Sequence, residues 1–133
     1  MRAFADSFYF LALLNHNDPA HAPAIRRSSQ LGLEIVTTRW VLVEVADALC
    51  APLWRERVVA FIDHLARQPD VFIRGESDAL FDRGLAYYRR RPDKHWSLTD
   101  CISFVVMEQE GLRDALTGDR HFAQAGFNPV FAE

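Results

Sequence analysis

Short apolar segments that favour β-strands alternate with longer segments of helical pattern along the whole chain. The strand candidates are residues 1–5, 34–37, 71–73, 115–116 and 128–131. The helix candidates between them are residues 7–14, 18–30, 40–49, 52–68, 76–90 and 99–110. Strands that alternate with helices pair in parallel and are covered by helices on both faces of the sheet. The sequence therefore predicts an α/β fold.

The length and composition predict one globular domain over residues 1–133. A chain of 133 residues is long enough to bury a core, and 50% hydrophobic with 25% charged residues excludes a disordered chain. The longest apolar stretches, residues 8–14 and 102–107, are too short to cross a bilayer. Asp6 interrupts the apolar N-terminus and no small-residue cleavage site follows, so we predict a cytoplasmic protein without a membrane segment.

The net charge and the cysteine content argue against some kinds of site but do not identify the function. The net charge of -3 lacks the basic surplus that is typical of nucleic-acid-binding proteins, although arginines cluster locally at residues 89–91. An acidic metal site surrounded by arginines would give the same balance. Cys50 and Cys101 are far apart and the histidines have no metal-ligand spacing, so we predict buried, inert thiols rather than a zinc site or a disulfide.

Acidic residues recur where predicted strands turn into helices. Asp6 follows the first strand and Asp119 the fourth, each directly before a helical stretch, and Asp100 opens the helix after Ser97. In an open parallel sheet the strand-to-helix turns share one edge, and that edge forms the binding crevice. Glu44 joins these acids if its helix passes beside the same edge. The sequence therefore predicts a cluster of carboxylates.

The electrostatic repulsion within such a cluster of carboxylates must be offset. Two carboxylates ~4 Å apart repel each other by ~4 kcal/mol at an effective dielectric constant of 20. A helix N-terminus offsets only about 0.3–1 kcal/mol for each acid. Either some acids are protonated or a hard cation lies among them, and oxygen ligands favour Mg²⁺ or Mn²⁺. Each acid alone also fits a helix cap or a solvated helix position. The hypothesis of a metal site therefore depends on the four acids together.

Four segments, in chain order, resemble the PIN-domain family: FADSFYFLALL with Asp6, VEVADAL with Glu44, WSLTDCISF with Asp100, and TGDRHF with Asp119, followed by AGF. The resemblance covers nearly the whole chain. It implies a three-layer α/β/α fold with a central, mostly parallel sheet of four to five strands. It also implies a metal-dependent endoribonuclease in which these four acids are catalytic and bind Mg²⁺ or Mn²⁺.

The short chain further resembles the VapC-type toxins of type II toxin–antitoxin pairs. This implies an RNA substrate, a homodimer and a cognate antitoxin that covers or reaches into the acidic pocket. Several residues follow as candidates for supporting roles. Ser7, Ser97 and Thr117 are predicted to hydrogen-bond the acids or a phosphate oxygen, and Arg39 and Arg120 to contact RNA.

Three acidic or basic residues near these motifs have simpler interpretations. Asp47 shares the helix face of Glu44 and is predicted to be a solvated acid. Asp114 precedes a strand and is predicted at the opposite edge of the sheet. His121 is interpreted as an exposed loop histidine, with substrate contact as the alternative.

Three other functions remain open from the sequence. The chain could be a PIN-like RNA- or protein-binding module without toxin activity, or a nuclease of RNA processing. A phosphoacceptor receiver domain also gathers acids at one sheet edge. That class usually has adjacent acids after the first strand and a late lysine, whereas Asp6 stands alone and Lys94 is the only lysine. The receiver interpretation is therefore disfavoured.

Overall fold

The structure, a computed structural model, describes residues 1–75 and 77–132. The elements within these residues follow the order β1 (Arg2–Ala5), α1 (Ser7–Leu14), α2 (His21–Ser28), β2 (Glu34–Thr38), α3 (Arg39–Ala48), α4 (Pro52–Arg67), β3 (Val71–Arg74), α5 (Asp78–Arg90), α6 (Leu98–Glu110), β4 (Asp114–Leu116), α7 (Arg120–Gln124) and β5 (Asn128–Pro129). Helices and strands alternate as the sequence predicts.

The strands form one sheet in the order β3-β2-β1-β4-β5, and all its pairings are parallel. Phe4 of β1 lies at the centre, with Val36 of β2 on one side and Ala115 of β4 on the other. Helix α1 packs against α2 and α3, and α3 packs against α4, while α5 to α7 form a second packed group. Because parallel crossovers are right-handed, the reversal of direction after β3 places these groups on opposite faces. The predicted three-layer α/β/α fold is confirmed.

The core lies around β1 and α6. Ala3, Phe4 and Ala5 are fully buried, as expected of a central strand covered on both faces. Helix α6 is buried from its first turn almost to its end, which explains its nearly continuous apolar sequence. Gly84 allows α5 to approach α6 closely, because a Cβ atom there would lie 2.3 Å from Ile102 Cγ1.

The start of α2 differs from the sequence prediction. A helix was expected over residues 18–30, but α2 begins at His21. The Asp18 side chain accepts a hydrogen bond from the backbone N–H of Ala20, and its carbonyl accepts one from the N–H of His21. These local bonds close a turn before the helix starts, so Asp18 acts as a turn residue.

Two other predictions are corrected or limited. Cys101 is buried as predicted, but Cys50 is exposed at the turn between α3 and α4, so the prediction of two buried thiols is wrong for Cys50. The predicted start of the fifth helix at Glu76 lies outside the described residues, and α5 begins at Asp78 after the cap residue Ser77. In the described part of the chain, no helix combines the length and apolar character needed to cross a membrane.

Candidate active site

The four predicted acids lie at the carboxyl edge of the sheet and line one cleft of about 480 Å³. Asp6 follows β1, Glu44 projects from α3, Asp100 lies in the first turn of α6, and Asp119 precedes α7. The other residues that line the cleft are Ser7, Phe8, Leu11, His95, Ser97 and His121. The topology therefore brings together side chains from four separate segments of the chain.

Asp6 lies deepest in this cleft. It is 4% exposed, and the Thr117 hydroxyl, which follows the neighbouring strand β4, donates a hydrogen bond of 2.9 Å to its Oδ2. Burial is the main reason that the pKa of Asp6 is raised to about 7; the Thr117 hydrogen bond opposes the increase, and the carboxylates of Asp100 and Glu44 add to it. Asp6 makes no side-chain capping bond to α1, so its carboxylate is directed to the cleft.

Glu44 is held by the residue next to Asp6. The Ser7 hydroxyl donates a short hydrogen bond to Glu44 Oε1 and thereby joins the start of α1 to α3. Burial raises the pKa of Glu44, and the carboxylates of Asp100 and Asp119 act in the same direction. Glu44 thus belongs to the same electrostatic cluster as the strand-end acids.

Asp100 belongs to a capping box. Its backbone N–H donates to the Ser97 hydroxyl at 2.9 Å, and its Oδ2 accepts from the Ser97 N–H at 3.1 Å. Burial raises the pKa of Asp100, although the Ser97 N–H and His121 lower it. The capping interpretation and the cluster interpretation therefore both apply, because the cap fixes the carboxylate at the cleft.

Asp119 precedes α7 and contacts His121. Its Oδ1 accepts from the His121 backbone N–H at 2.9 Å, while its own N–H donates to Thr117 Oγ1 at 3.1 Å. The imidazole Nδ1 of His121 lies 3.1 Å from Asp100 Oδ2 and 3.4 Å from Asp119 Oδ2. The interpretation of His121 as an exposed loop histidine is wrong, since the residue is half-buried in α7 between two acids.

Phe8 lines the cleft and packs against Gly118. A Cβ atom at Gly118 would lie 2.7 Å from Phe8 Cζ, so only glycine permits the ring to pack against the turn before Asp119. Phe8 also stacks on Phe131 with ring centroids 6.2 Å apart. An apolar wall faces the acids at this point.

The cleft fits a divalent cation. Among the described residues that line it, no lysine or arginine is present to neutralise the acids, and the only basic side chains are His95 and His121. One donor atom each from Asp100, Asp119 and His121 lie within 4.8 Å of one another. Oxygen donors with a single imidazole suit Mg²⁺ or Mn²⁺ rather than a zinc site with cysteines.

The other predicted residues lie outside the cleft lining. Arg39 is exposed and borders an apolar cavity between α3, α4 and β3, with its side chain against Gly75. Arg120 is exposed at the first position of α7, beside Asp119. Asp47 is exposed, and Asp114 accepts a hydrogen bond from Asn128 at the start of β4, away from the acids. The RNA contacts of the two arginines stay predictions.

A model of the PIN domain matches residues 3–128. The chain belongs to the PIN-domain family. This PIN domain has relatives that match it almost end to end. The 23S rRNA-specific endonuclease VapC20 of Mycobacterium tuberculosis is 25% identical over 140 residues, with 98% of each chain covered, in strains CDC 1551 and H37Rv alike.

Two crystal structures are similar to this PIN domain. VapC20 of Mycobacterium tuberculosis, described as a sarcin-ricin loop cleaving toxin, superposes with a TM-score of 0.84 and 26% identity over 96% of this chain and 98% of that one. VapBC2 of Rickettsia felis, bound to a DNA fragment from its promoter, gives a TM-score of 0.67 with 11% identity over 97% of this chain and 96% of that one. The second likeness concerns the fold alone.

Proposed function

We propose that this PIN-domain protein is a metal-dependent endoribonuclease and the toxin of a type II toxin–antitoxin pair. The observation that carries the proposal is the convergence of Asp6, Glu44, Asp100 and Asp119 on one cleft, where burial and mutual repulsion raise the pKa values of the first three. Retaining such a cluster is unfavourable for folding unless a bound ligand makes use of it. The full-length likeness to an rRNA endonuclease indicates which ligand and reaction to test.

In this proposal Asp6, Asp100 and Asp119 hold Mg²⁺ or Mn²⁺, and Glu44 binds the ion directly or through water. A divalent ion so bound lowers the pKa of water and stabilises negative charge on the attacked phosphate. The carboxylates must be deprotonated for this task, and Glu44 is then placed to orient the attacking water.

The hydroxyls beside the acids act as positioning groups. The Thr117 hydroxyl orients the carboxylate of Asp6, and the Ser7 hydroxyl orients Glu44. The carboxylate of Asp100 is instead oriented by the backbone N–H of Ser97. Such outer contacts fix metal ligands in the geometry that catalysis requires. Arg120, exposed next to Asp119, is the nearer of the two proposed RNA contacts, and Arg39 would meet only RNA that extends toward α3.

The relatives support the proposed substrate class. We infer that the substrate is structured ribosomal RNA, with a stem-loop as the first target to test, and that the enzyme acts in the cytoplasm. The partners are an antitoxin and a second copy of this chain. Exposed apolar side chains on α3 and α4 support a protein interface, because Val43, Leu53 and Val59 are 57%, 88% and 59% exposed.

Cleavage of ribosomal RNA tests the proposal. Purified protein is incubated with intact ribosomes, with 23S rRNA and with a sarcin-ricin stem-loop oligonucleotide, in the presence of Mn²⁺, Mg²⁺ or EDTA. We expect discrete cuts that EDTA abolishes and that Asp6→Asn or Asp100→Asn reduces at least about 100-fold. The matched control is Asp82→Asn, which removes an exposed carboxylate on α5 and should leave the rate unchanged.

Each other outcome of these experiments leads to a different conclusion. Equal cleavage by wild type and both site variants would contradict the proposal. Metal binding without cleavage of any RNA would favour the binding-module alternative. Growth arrest on expression, relieved by the protein from the neighbouring gene, tests the toxin role, and light scattering of the purified chain tests the dimer.

A further inference from the structure

The imidazole of His121 lies beside the carboxylates of both Asp100 and Asp119. Its Nδ1 lies 3.1 Å from Asp100 Oδ2 and 3.4 Å from Asp119 Oδ2, and one donor atom from each residue falls within a 4.8 Å group. Two ligands at right angles around an octahedral ion, each about 2.1 Å from it, are about 3 Å apart. The measured separations therefore match those of neighbouring ligands on one ion.

The backbone holds His121 close to Asp119. Asp119 precedes α7 and His121 is the second residue of that helix. The His121 N–H donates to Asp119 Oδ1 at 2.9 Å, and Asp119 Oδ2 is the oxygen nearer to the imidazole. An ion bound by Asp119 Oδ2 is thus within reach of Nδ1, because both side chains extend from the same turn.

The alternative is that His121 is only a counter-charge. In that case the imidazolium would lie between Asp100 and Asp119 in the metal-free protein and leave when a cation arrives. The proximity of Asp119 argues against a complete departure, since the bond from the His121 N–H keeps this carboxylate beside the residue that carries the imidazole. The half-buried position of the side chain, 29% exposed, also restricts its alternative rotamers.

We propose that Nδ1 of His121 is a ligand of the metal bound by Asp100 and Asp119, which gives this site a mixed nitrogen and oxygen donor set. The inference rests on the proposed metal-dependent function and adds a ligand to it. Imidazole binds Mn²⁺ and later transition metals better than Mg²⁺ or Ca²⁺, which prefer carboxylate, carbonyl and water oxygen. The histidine therefore favours Mn²⁺ over Mg²⁺ at this site.

Pulsed electron paramagnetic resonance of bound Mn²⁺ tests the ligand directly. Metal-free wild-type protein is loaded with less than one equivalent of Mn²⁺, and ¹⁴N modulation from a coordinated imidazole is expected. His121→Gln should lose that modulation. His95→Gln is the matched control, because His95 lines the same cleft and, among the described residues, makes no hydrogen bond to the acids. This variant should keep the modulation.

The affinities for Mn²⁺ and Mg²⁺ provide a second test of the His121 ligand. Titration of Mn²⁺, with Mg²⁺ as competitor, should show that His121→Gln weakens Mn²⁺ binding about tenfold or more and Mg²⁺ binding by less than about threefold. Thermal unfolding establishes that the variant is folded. The electron paramagnetic resonance spectrum of wild type tests the ligand even if the variant does not fold.

The outcomes separate this inference from the function on which it rests. Mn²⁺ bound by wild type without ¹⁴N modulation would overturn the role of His121 and leave the carboxylate site intact. Failure of wild type to bind Mn²⁺ or Mg²⁺ at millimolar concentrations would overturn the metal-dependent function as well.

Discussion

Thr117 Oγ1 donates a 2.9 Å hydrogen bond to Asp6 Oδ2, although the two residues are 111 positions apart in the chain. The same hydroxyl accepts from the N–H of Asp119 at 3.1 Å. One side chain thus connects the acid after β1 with the acid after β4. The relationship depends on the parallel pairing of these strands, which brings Ala5 beside Leu116.

Replacing Thr117 with valine removes this bond while keeping the shape of the side chain. A hydrogen bond to a charged group is worth about 1.5–3 kcal/mol, so its loss should raise the pKa of Asp6 further and shift metal binding to higher pH. We expect cleavage at neutral pH to fall about tenfold or more. Thr117→Ser keeps the hydroxyl and is the matched control. Identical pH profiles for metal binding in the valine and serine variants would contradict the assigned role.

Much of this site follows from the sequence by simple rules. The ends of parallel strands share an edge, so Asp6 and Asp119 had to lie near each other once the strands were recognised. Asp100 followed from the helix start after Ser97, since a capping box is a local pattern. The fold was predictable for the same reason, because alternation of strands and helices permits few topologies.

The contacts between distant side chains were not predictable in this way. The bond between Ser7 and Glu44 depends on how α1 packs against α3, and no local pattern encodes that packing. The orientation of His121 depends on a turn that Asp119 closes, although a histidine two residues after a strand-end acid was a signal that could have been weighed. The exposed Cys50 and the late start of α2 likewise reflect packing and turn bonds rather than residue type.

Metal-free protein should lose stability as the pH rises. The pKa of Asp6 increases from 3.8 in the unfolded chain to about 7 in the folded protein, mainly because the group is buried. The folded state therefore binds more protons between these values, and the stabilisation is present at low pH and lost as the pH rises through about 7. Glu44 and Asp100, whose pKa values are also raised, act in the same direction.

Urea unfolding in EDTA measures this effect. We expect the free energy of unfolding of wild type to fall by about 2.5 kcal/mol between pH 5 and pH 8, and the fall to be smaller in Asp6→Asn. Asp82→Asn, on the exposed side of α5, should retain the wild-type slope. Greater stability of wild type at pH 8 than at pH 5 would contradict the assignment.

Divalent cations should restore the stability that the metal-free protein loses as the pH rises. An ion that binds only the folded state at 100 times its dissociation constant stabilises that state by about 2.7 kcal/mol. Calorimetric scans with and without Mn²⁺ should show a higher melting temperature for wild type at pH 8 and no comparable increase for Asp6→Asn or Asp100→Asn. An equal increase in all three proteins would place the ion elsewhere.

Gly118→Ala should disturb the wall of the cleft. The new Cβ atom would lie 2.7 Å from Phe8 Cζ, so the ring or the turn must move. We expect a loss of about 1–3 kcal/mol in unfolding free energy and slower cleavage, because the same turn positions Asp119. A double-mutant cycle with Phe8→Ala checks the cause. Equal costs of Gly118→Ala in both backgrounds would show that the ring is not the obstacle.

Gly84→Ala tests the contact between α5 and α6. Its Cβ atom would lie 2.3 Å from Ile102 Cγ1 and 3.2 Å from Ile102 Cα, so a backbone atom is also crowded. Overpacking of this kind costs about 1–3 kcal/mol, which outweighs the helix propensity gained from alanine. Thermal unfolding should show a lower melting temperature. An unchanged or higher value would mean that the two helices are less tightly packed than described.

The position of a bound ion tests the central claim most directly. Crystals of the protein soaked in Mn²⁺ should give an anomalous difference peak in the cleft, within about 2.5 Å of carboxylate oxygens of Asp6, Asp100 and Asp119. The peak should be absent from crystals of Asp6→Asn prepared in the same way. A well-ordered cleft without a peak, or a peak bound only by residues elsewhere, would contradict the account.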